Sequence, residues 1–202
     1  MKVLIACESS GTVRSAFRAK GHDAYSCDLL PADDGSPFHF VGNALQIIDN
    51  RWDLIIAHPP CTFLCSSGLW RNNYDPTRQA KTDDAVEFFL AFTKLTCPWC
   101  IENPVGCIGR LYRKADQYVQ PYEYGHDASK RTGFWLNRLK PLVADPSAYV
   151  KPRIVIQNGK EYKRWANQTD SGQNRLGPSK DRWKQRSKTY DLIAKSMADQ
   201  WG

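Results

Sequence analysis

Apolar residues in the first half of the chain come in short, uninterrupted runs. Lys2 to Cys7 is one, and Trp52-Asp53-Leu54-Ile55-Ile56-Ala57 is another, with four apolar residues in a row that are β-branched in the middle. Runs of this kind predict strands covered on both faces, as in a parallel α/β sheet. Between them, Val13 to Lys20 has a helical pattern closed by Gly21, Ala24 to Cys27 reads as a strand ending at Asp28, and Phe38 to Val41 as a third, ended by Gly42-Asn43 before a helical turn over Ala44 to Ile48. Ser66 to Tyr74 reads as a polar loop. Asp75 is then a helix N-cap with Pro76 at the first helical position, and Ala85, Phe88, Phe89, Phe92 and Leu95 recur on one face that should cover the sheet. A further short strand ends at Ile101-Glu102-Asn103-Pro104. Residues 117–143 are strand-like, with turns expected at Gly125 and Gly133 and an apolar patch at Phe134-Trp135-Leu136. Gln168 to Ser179 reads as a loop, and Thr189 to Trp201 as a helix with Ile193, Met197 and Trp201 on one side.

A chain of 202 residues suits one substantial core. It has no apolar run of about 18 residues, the length that would span a membrane, and Glu8 interrupts the amino-terminal run before it could serve as a secretory signal. This predicts a cytoplasmic protein, and seven cysteines without dense spacing point to reduced thiols. Charge changes the picture at the carboxyl end. Residues 151–202 hold 12 Lys+Arg against 5 Asp+Glu, so they account for the whole net charge of +7. Basic and aromatic residues alternate there as Tyr162-Lys163-Arg164-Trp165 and Arg182-Trp183-Lys184 with Arg186, a pattern that suits a polyanion partner, with Trp165 and Trp183 expected to stack on bases.

The candidate chemistry lies where strands end. Pro59 and Pro60 cannot continue a sheet ladder and hold the chain extended, so Cys61 is presented at the tip of a rigid loop. In open α/β sheets ligands bind beyond the carboxyl ends of the strands. Glu102 repeats that logic, a carboxyl just before the end of a strand and positioned for proton transfer. At the first strand, Glu8-Ser9-Ser10-Gly11-Thr12 forms a small-residue turn into a helix, and Asp28 follows Gly11 by 17 residues, near the offset at which an acid meets ribose hydroxyls. Cys97-Pro98-Trp99-Cys100 has the spacing of a redox or zinc pair, but a long helix precedes it and only Cys107 is near as a further ligand; no metal site is expected.

Three of these motifs, in this order, resemble the cytosine 5-methyltransferases of DNA: Glu8-Ser9-Ser10-Gly11-Thr12-Val13-Arg14 with Gly21, Pro59-Pro60-Cys61, and Glu102-Asn103-Pro104. Asp75-Pro76 and Arg78 are similar to the segment that family places between the last two. The resemblance covers about residues 1–115 and extends to the compact methylase-like proteins of phages and prophages. It implies an α/β fold with a Rossmann-like S-adenosylmethionine-dependent methyltransferase sheet, residues 1–145 forming the catalytic domain. Residues 146–202 are then a short basic extension packed on that domain. It further implies that Cys61 is the nucleophile, that Glu102 is the acid, and that Asn103 and Pro60 support them. S-adenosylmethionine, or a modified form of it, would lie against Glu8, Ser9, Ser10, Gly11, Thr12, Val13, Asp28, Leu29, Asn43, Ala44 and Pro59. DNA, with its cytosine flipped or single-stranded, would meet Lys130, Arg131, Lys163, Arg164, Arg182 and Arg186. Ser9 stands where the family has a glycine, Thr62 where it has a glutamine, and no large target-recognition domain follows.

Other readings stay open at this level. A relative using carboxy-S-adenosylmethionine would carry the same motifs. An amino-methyltransferase holds an exocyclic amine between an Asp or Asn, two prolines and an aromatic, and here His58 and Cys61 occupy those ends. A non-catalytic DNA-binding protein could also use the same scaffold. The sequence leaves the target site, the strand state of the DNA and the oligomeric state open.

Overall fold

A computed structural model describes residues 1–202. The chain runs β1 (Lys2–Ala6), α1 (Thr12–Ala19), β2 (Asp23–Asp28), β3 (His39–Val41), β4 (Leu54–Ala57), α2 (Ser66–Leu69), α3 (Pro76–Phe92), β5 (Trp99–Pro104), α4 (Ile108–Leu111), β6 (Gln117–Val119), β7 (Thr132–Asn137), β8 (Arg153–Gln157), β9 (Lys160–Arg164), α5 (Arg182–Ser187) and α6 (Asp191–Trp201). Seven strands form one sheet in the order β3-β2-β1-β4-β5-β7-β6, while β8 and β9 form a separate hairpin. Pairing is parallel from β3 through β5; β7 runs antiparallel to both β5 and β6. This is the expected Rossmann-like α/β sheet, parallel but for β7. No helix is long and apolar enough to cross a membrane.

The apolar runs are buried on both sides because successive side chains alternate between two cores. Val3 and Ile5 of β1, and Leu54 and Ile56 of β4, join a cluster with Val13 and Phe17 of α1 and Ile193, Met197 and Trp201 of α6. Leu4, Ala6, Ile55 and Ala57 face the opposite cluster, which takes Phe89 and Phe92 from α3 and Trp135 from β7. Asp75 caps α3 as expected, its side chain accepting from the backbone N–H of Thr77 and Arg78. In the carboxyl-terminal segment, α6 packs along α1, so it is part of the main core.

Three expectations are corrected. Residues 66–74 are not a loop but α2 followed by a 3-10 turn over Trp70–Asn73. Their Ser, Gly and Asn content disfavours helix locally, yet Asn72 Nδ2 donates to Gln79 Oε1 at 3.1 Å and Thr82 Oγ1 at 2.9 Å, tying the segment to α3. Gly133 is not a turn residue. It lies within β7 opposite Asn103, where a Cβ would meet Ala115, Trp135 and Tyr118 side-chain atoms at 3.0–3.2 Å, a close approach that favours glycine. Trp165 is not available for stacking on bases: it is buried, lies flat on Tyr122 with ring centroids 4.0 Å apart, and donates Nε1–H to Val150 O at 3.0 Å.

Trp201 tests the contribution of α6. Its ring fills the α1 face of the core and its Nε1–H donates to Lys140 O at 2.9 Å. Trp201→Ala should lower unfolding stability by about 3–5 kcal/mol, read from the midpoint of a urea titration at unchanged slope.

Candidate active site

Parallel strands deliver the chains leaving β1, β2, β4 and β5 to one edge of the sheet, and a large cleft opens there. After β4 the His58 N–H still pairs with Ala6 O at 2.9 Å, and the two prolines then carry the backbone out of the ladder. Cys61 is exposed at the tip. Its carbonyl accepts from Leu64 N and Cys65 N, each at 3.0 Å, which folds the following residues into a turn behind the thiol. This loop is stapled to the one after β5: Cys107 N donates to Leu64 O at 2.9 Å, Ser66 N to Val105 O at 3.2 Å, and buried Asn103 Nδ2 to Pro59 O at 2.8 Å. Gly106 makes the staple possible, since a Cβ there would collide with the Leu64 carbonyl.

Glu102 lies beside the cysteine loop in a polar quartet. His58 Nδ1 is 3.5 Å from Glu102 Oε2, with side chains 10% and 15% exposed. Burial pushes the Glu102 carboxyl up, but the His58 hydrogen bond, the Lys130 charge and the Thr132 hydroxyl outweigh it and hold the group below the ordinary carboxylate value. Burial pushes the Cys61 thiol above its ordinary value; Glu102 and Cys65 add to that, and Lys130 offsets only part. The resting pair is therefore a protonated thiol and an ionised carboxylate. Two polar atoms at its margin are buried without a partner, His58 Nε2 and Asn103 Oδ1.

At the other end of the cleft lies the turn after β1, of which Glu8, Ser9 and Ser10 line the cleft. Cys7 adopts a left-handed backbone with φ 60°, unusual for a residue with a side chain. It turns Glu8 inward, where the carboxylate accepts from Val13 N at 2.7 Å, Arg14 N at 3.3 Å and Ser10 Oγ at 3.3 Å. The start of α1 is thus occupied by the chain itself. Gly11 leaves room for the guanidinium of buried Arg14, which donates to Ser26 Oγ at 2.9 Å and pairs with Asp34. Gly11, Thr12, Val13, Asn43 and Ala44 do not line the cleft; Asn43 caps the following turn by accepting from Leu45 N, and Ala44 is buried. Glu8, Ser9, Ser10, Asp28, Leu29 and Pro59 do line it. Asp28 Oδ1 accepts from Leu30 N at 3.0 Å, which leaves Oδ2 for a ligand, and Leu29 beside it is exposed. These residues fit the ribose and base of a nucleoside donor.

The far wall is basic. Lys130, Arg131, Arg182 and Arg186 line the cleft, whereas Lys163 and Arg164 lie on β9 outside it. Segment 172–191 crosses over towards the donor end. There Lys184 Nζ lies 2.7 Å from Asp33 Oδ1 and Lys188 Nζ 3.5 Å from Oδ2, while Lys130 Nζ donates to Lys188 O at 3.3 Å. Asp33 N in turn donates to Ser9 O at 2.9 Å, which joins this latch to the turn after β1. The open cleft measures about 1660 Å³, more than the roughly 300–1,000 Å³ of an ordinary small-molecule pocket. It has space for a donor and a second substrate together. Cys7, His58, Asp33 and Gly106 carry site geometry that the sequence reading missed; only His58, next to the two prolines, stood inside a motif.

No family model matches the chain, and no curated protein matches it in sequence. Among solved structures, the Entamoeba histolytica methyltransferase EhMeth aligns with a TM-score of 0.47 at 17% identity, over 72% of this chain and 55% of that one. The chain thus spans little more than half of that protein's length.

Burial pushes the Asp33 carboxyl up, and its bonds to Lys184 and Lys188 outweigh this and hold it below the ordinary carboxylate value. The latch should accordingly persist on acidification until the pH falls below the usual carboxylate range. Asp33→Asn should speed tryptic cleavage within residues 180–188 several-fold. Added salt should bring the parent towards the variant, since the lysines are partly exposed. Equal cleavage rates would show that the segment is held by other contacts.

Proposed function

We propose that this protein is an S-adenosylmethionine-dependent methyltransferase that modifies carbon 5 of cytosine in DNA through a covalent Cys61 adduct. The observation that carries the reading is an exposed thiol on the loop leaving β4 beside a largely buried carboxylate near the end of the adjacent parallel strand β5, with the loops after the two strands stapled together. A flipped or unpaired base must be flanked by nucleophile and acid at once, and a cleft of this size leaves room for it beside a donor.

Carbon 5 of cytosine is too electron-poor to attack a methyl sulfonium directly. Bond formation between Cys61 Sγ and carbon 6 sends the displaced electron pair towards ring nitrogen 3, which then takes a proton from Glu102, and carbon 5 becomes nucleophilic. The resting site holds one proton across this pair, on the thiol. Transfer of that proton to Glu102 produces the thiolate and the carboxylic acid that the attack requires. The Lys130 charge favours the resting carboxylate and, during the attack, the Cys61 thiolate, and His58 keeps Glu102 oriented. The donor supplies the methyl group; Asp28 would hold its ribose hydroxyls. After transfer, loss of the carbon 5 proton to solvent, expulsion of the Cys61 thiolate and return of the nitrogen 3 proton to the Glu102 carboxylate restore the aromatic ring; the thiolate then regains a proton from Glu102.

DNA carrying 5-fluorocytosine should trap the adduct, because fluorine blocks the loss at carbon 5. Cys61→Ala should abolish trapping, and Cys65→Ala, four residues on, should leave it intact. Methylated cytosine formed without Cys61 would sink the mechanism. Glu102→Gln should slow adduct formation by roughly 10²–10⁴-fold.

The pH profile of kcat/KM should show a broad plateau. Its acid limb should lie below the ordinary carboxylate range, where Glu102 gains a second proton for the pair, and its alkaline limb above the ordinary thiol value, where Cys61 loses the shared one. Glu102→Gln should remove the acid limb. Asp28→Ala should weaken donor binding by about 1.5–3 kcal/mol in calorimetry.

A further inference from the structure

The segment that follows the cysteine loop exposes two large aromatic rings side by side. Trp70 is 58% exposed and Tyr74 81%, and they pack edge to face with centroids 6.2 Å apart. Exposed rings are common singly, but a contiguous pair is a surface feature that marks contact with something else. The rings are not on a floppy loop: Asn72 between them is bonded to Gln79 and Thr82 of α3. One cation lies against this pair and two more lie over the neighbouring Phe63. Arg71 lies with Cζ 5.4 Å from the Trp70 ring centroid, while Arg78 and Lys81 lie over Phe63 at 4.8 and 5.9 Å. Asp75, the acid within this group, is occupied in capping α3. Arg71 and Arg78 also line the cleft that holds Cys61, so the aromatic surface continues directly from the candidate active site. On the opposite wall Trp183, 59% exposed, stands among Arg182, Lys184 and Arg186.

We infer that Trp70 and Tyr74 form a stacking platform for unpaired nucleotides flanking the target cytosine, with Arg71 holding a phosphate and Arg78, bonded to Thr62 O at 3.1 Å, adding fixed positive charge. This rests on the proposed function and names its substrate as single-stranded DNA. Base faces are available for stacking on side chains only when they are not stacked in a duplex, and an aromatic platform beside cations is the combination that binds single strands without sequence preference. A duplex would present edges and phosphates to the same surface. The 3-10 turn and its bonds to α3 hold the rings in place before binding, which reduces the ordering cost.

The test uses the full chain carrying Cys61→Ala, so that no adduct forms, and fluorescence anisotropy of a short labelled oligodeoxynucleotide, single-stranded or annealed to its complement. The single strand should bind more tightly. Trp70→Ala with Tyr74→Ala should weaken it by roughly ten- to a hundredfold, with duplex binding little changed. Trp70→Phe should retain most of the affinity. Tyr74→Ala alone, at the more exposed ring, gives the same reading should the double variant fold poorly, and thermal melting checks each protein. Equal losses for single strand and duplex, or no loss in a folded variant, would overturn the platform. Because binding is read without the thiol, a failure of the Cys61 chemistry leaves this result standing, and trapped adducts with an unaffected double variant would refute the platform alone.

Discussion

Parallel pairing of β4 with β5 in one register, Ile55 against Trp99 and Ala57 against Ile101, sets His58 beside Glu102 at the same sheet edge. A slip of one residue would turn every side chain of β4 to the other face, exchanging Ile55 and Ala57 with Leu54 and Ile56 between two differently shaped cores. That burial is what keeps the register, and the register is what allows Asn103 to reach the Pro59 carbonyl and Gly106 to slide under Leu64. The two reactive loops are therefore positioned by backbone and core contacts rather than by each other's functional groups. Cys61 has few packing duties of its own, so its side chain is left for chemistry.

The quartet around Glu102 shows how the fold accommodates a carboxylate that burial alone would neutralise. Taking an ion out of water costs several kcal/mol unless charge and hydrogen bonds replace the lost hydration. Here replacement comes from three elements: His58 after β4, Lys130 before β7 and Thr132 on β7. The compensation is uneven, because His58 Nε2 and Asn103 Oδ1 remain buried without partners. Each such atom costs about 1–3 kcal/mol. Both lie next to the reactive pair, where a polar ligand would supply what the chain does not, and neither is needed to hold the loops together.

Short-range patterns were legible in the sequence where one local effect dominates. Four apolar residues closed by two prolines identified a strand covered on both faces and the exposed cysteine after it; Asp75-Pro76 identified the start of α3. What escaped the reading depends on contacts between distant residues. The sequence did not show that Glu8, besides lining the cleft, accepts from the first N–H groups of α1, or that Gly11 makes room for the Arg14 guanidinium. Trp165 sat in a basic run and looked exposed; Tyr122, more than 40 positions earlier in the chain, buries it. The helical turns over 66–73 have weak local propensity and are held by side chains of α3. Of the residues that line the cleft, Cys61, Glu102 and Asp28 could be named because each lies at or just beyond the carboxyl end of a strand. On the opposite wall Lys130, Arg131, Arg182 and Arg186 were named from charge and resemblance, but the latch between Asp33 and Lys184 and Lys188 joins distant residues and leaves no local signal.

Net charge was the least direct of the sequence signals. Much of the positive charge after residue 150 is engaged within the molecule. Lys184 and Lys188 hold Asp33, Arg153 pairs with Asp170, and Arg164, Arg175 and Arg182 donate to backbone carbonyls of Asp170, Gln168 and Leu176. A guanidinium bonded to a carbonyl keeps its charge but not its freedom to follow a phosphate backbone, so this end of the chain acts first as structure. Its consequence for binding is indirect: by folding over the edge of the sheet it adds Arg182 and Arg186 to a cleft already lined by Lys130, Arg131, Arg71 and Arg78. Nine Lys and Arg against five Asp and Glu line the cleft, so its field is net positive at the opening above Cys61. Under the proposed function that opening, and not the exposed hairpin of β8 and β9 that carries Lys163, would be where a polyanion docks.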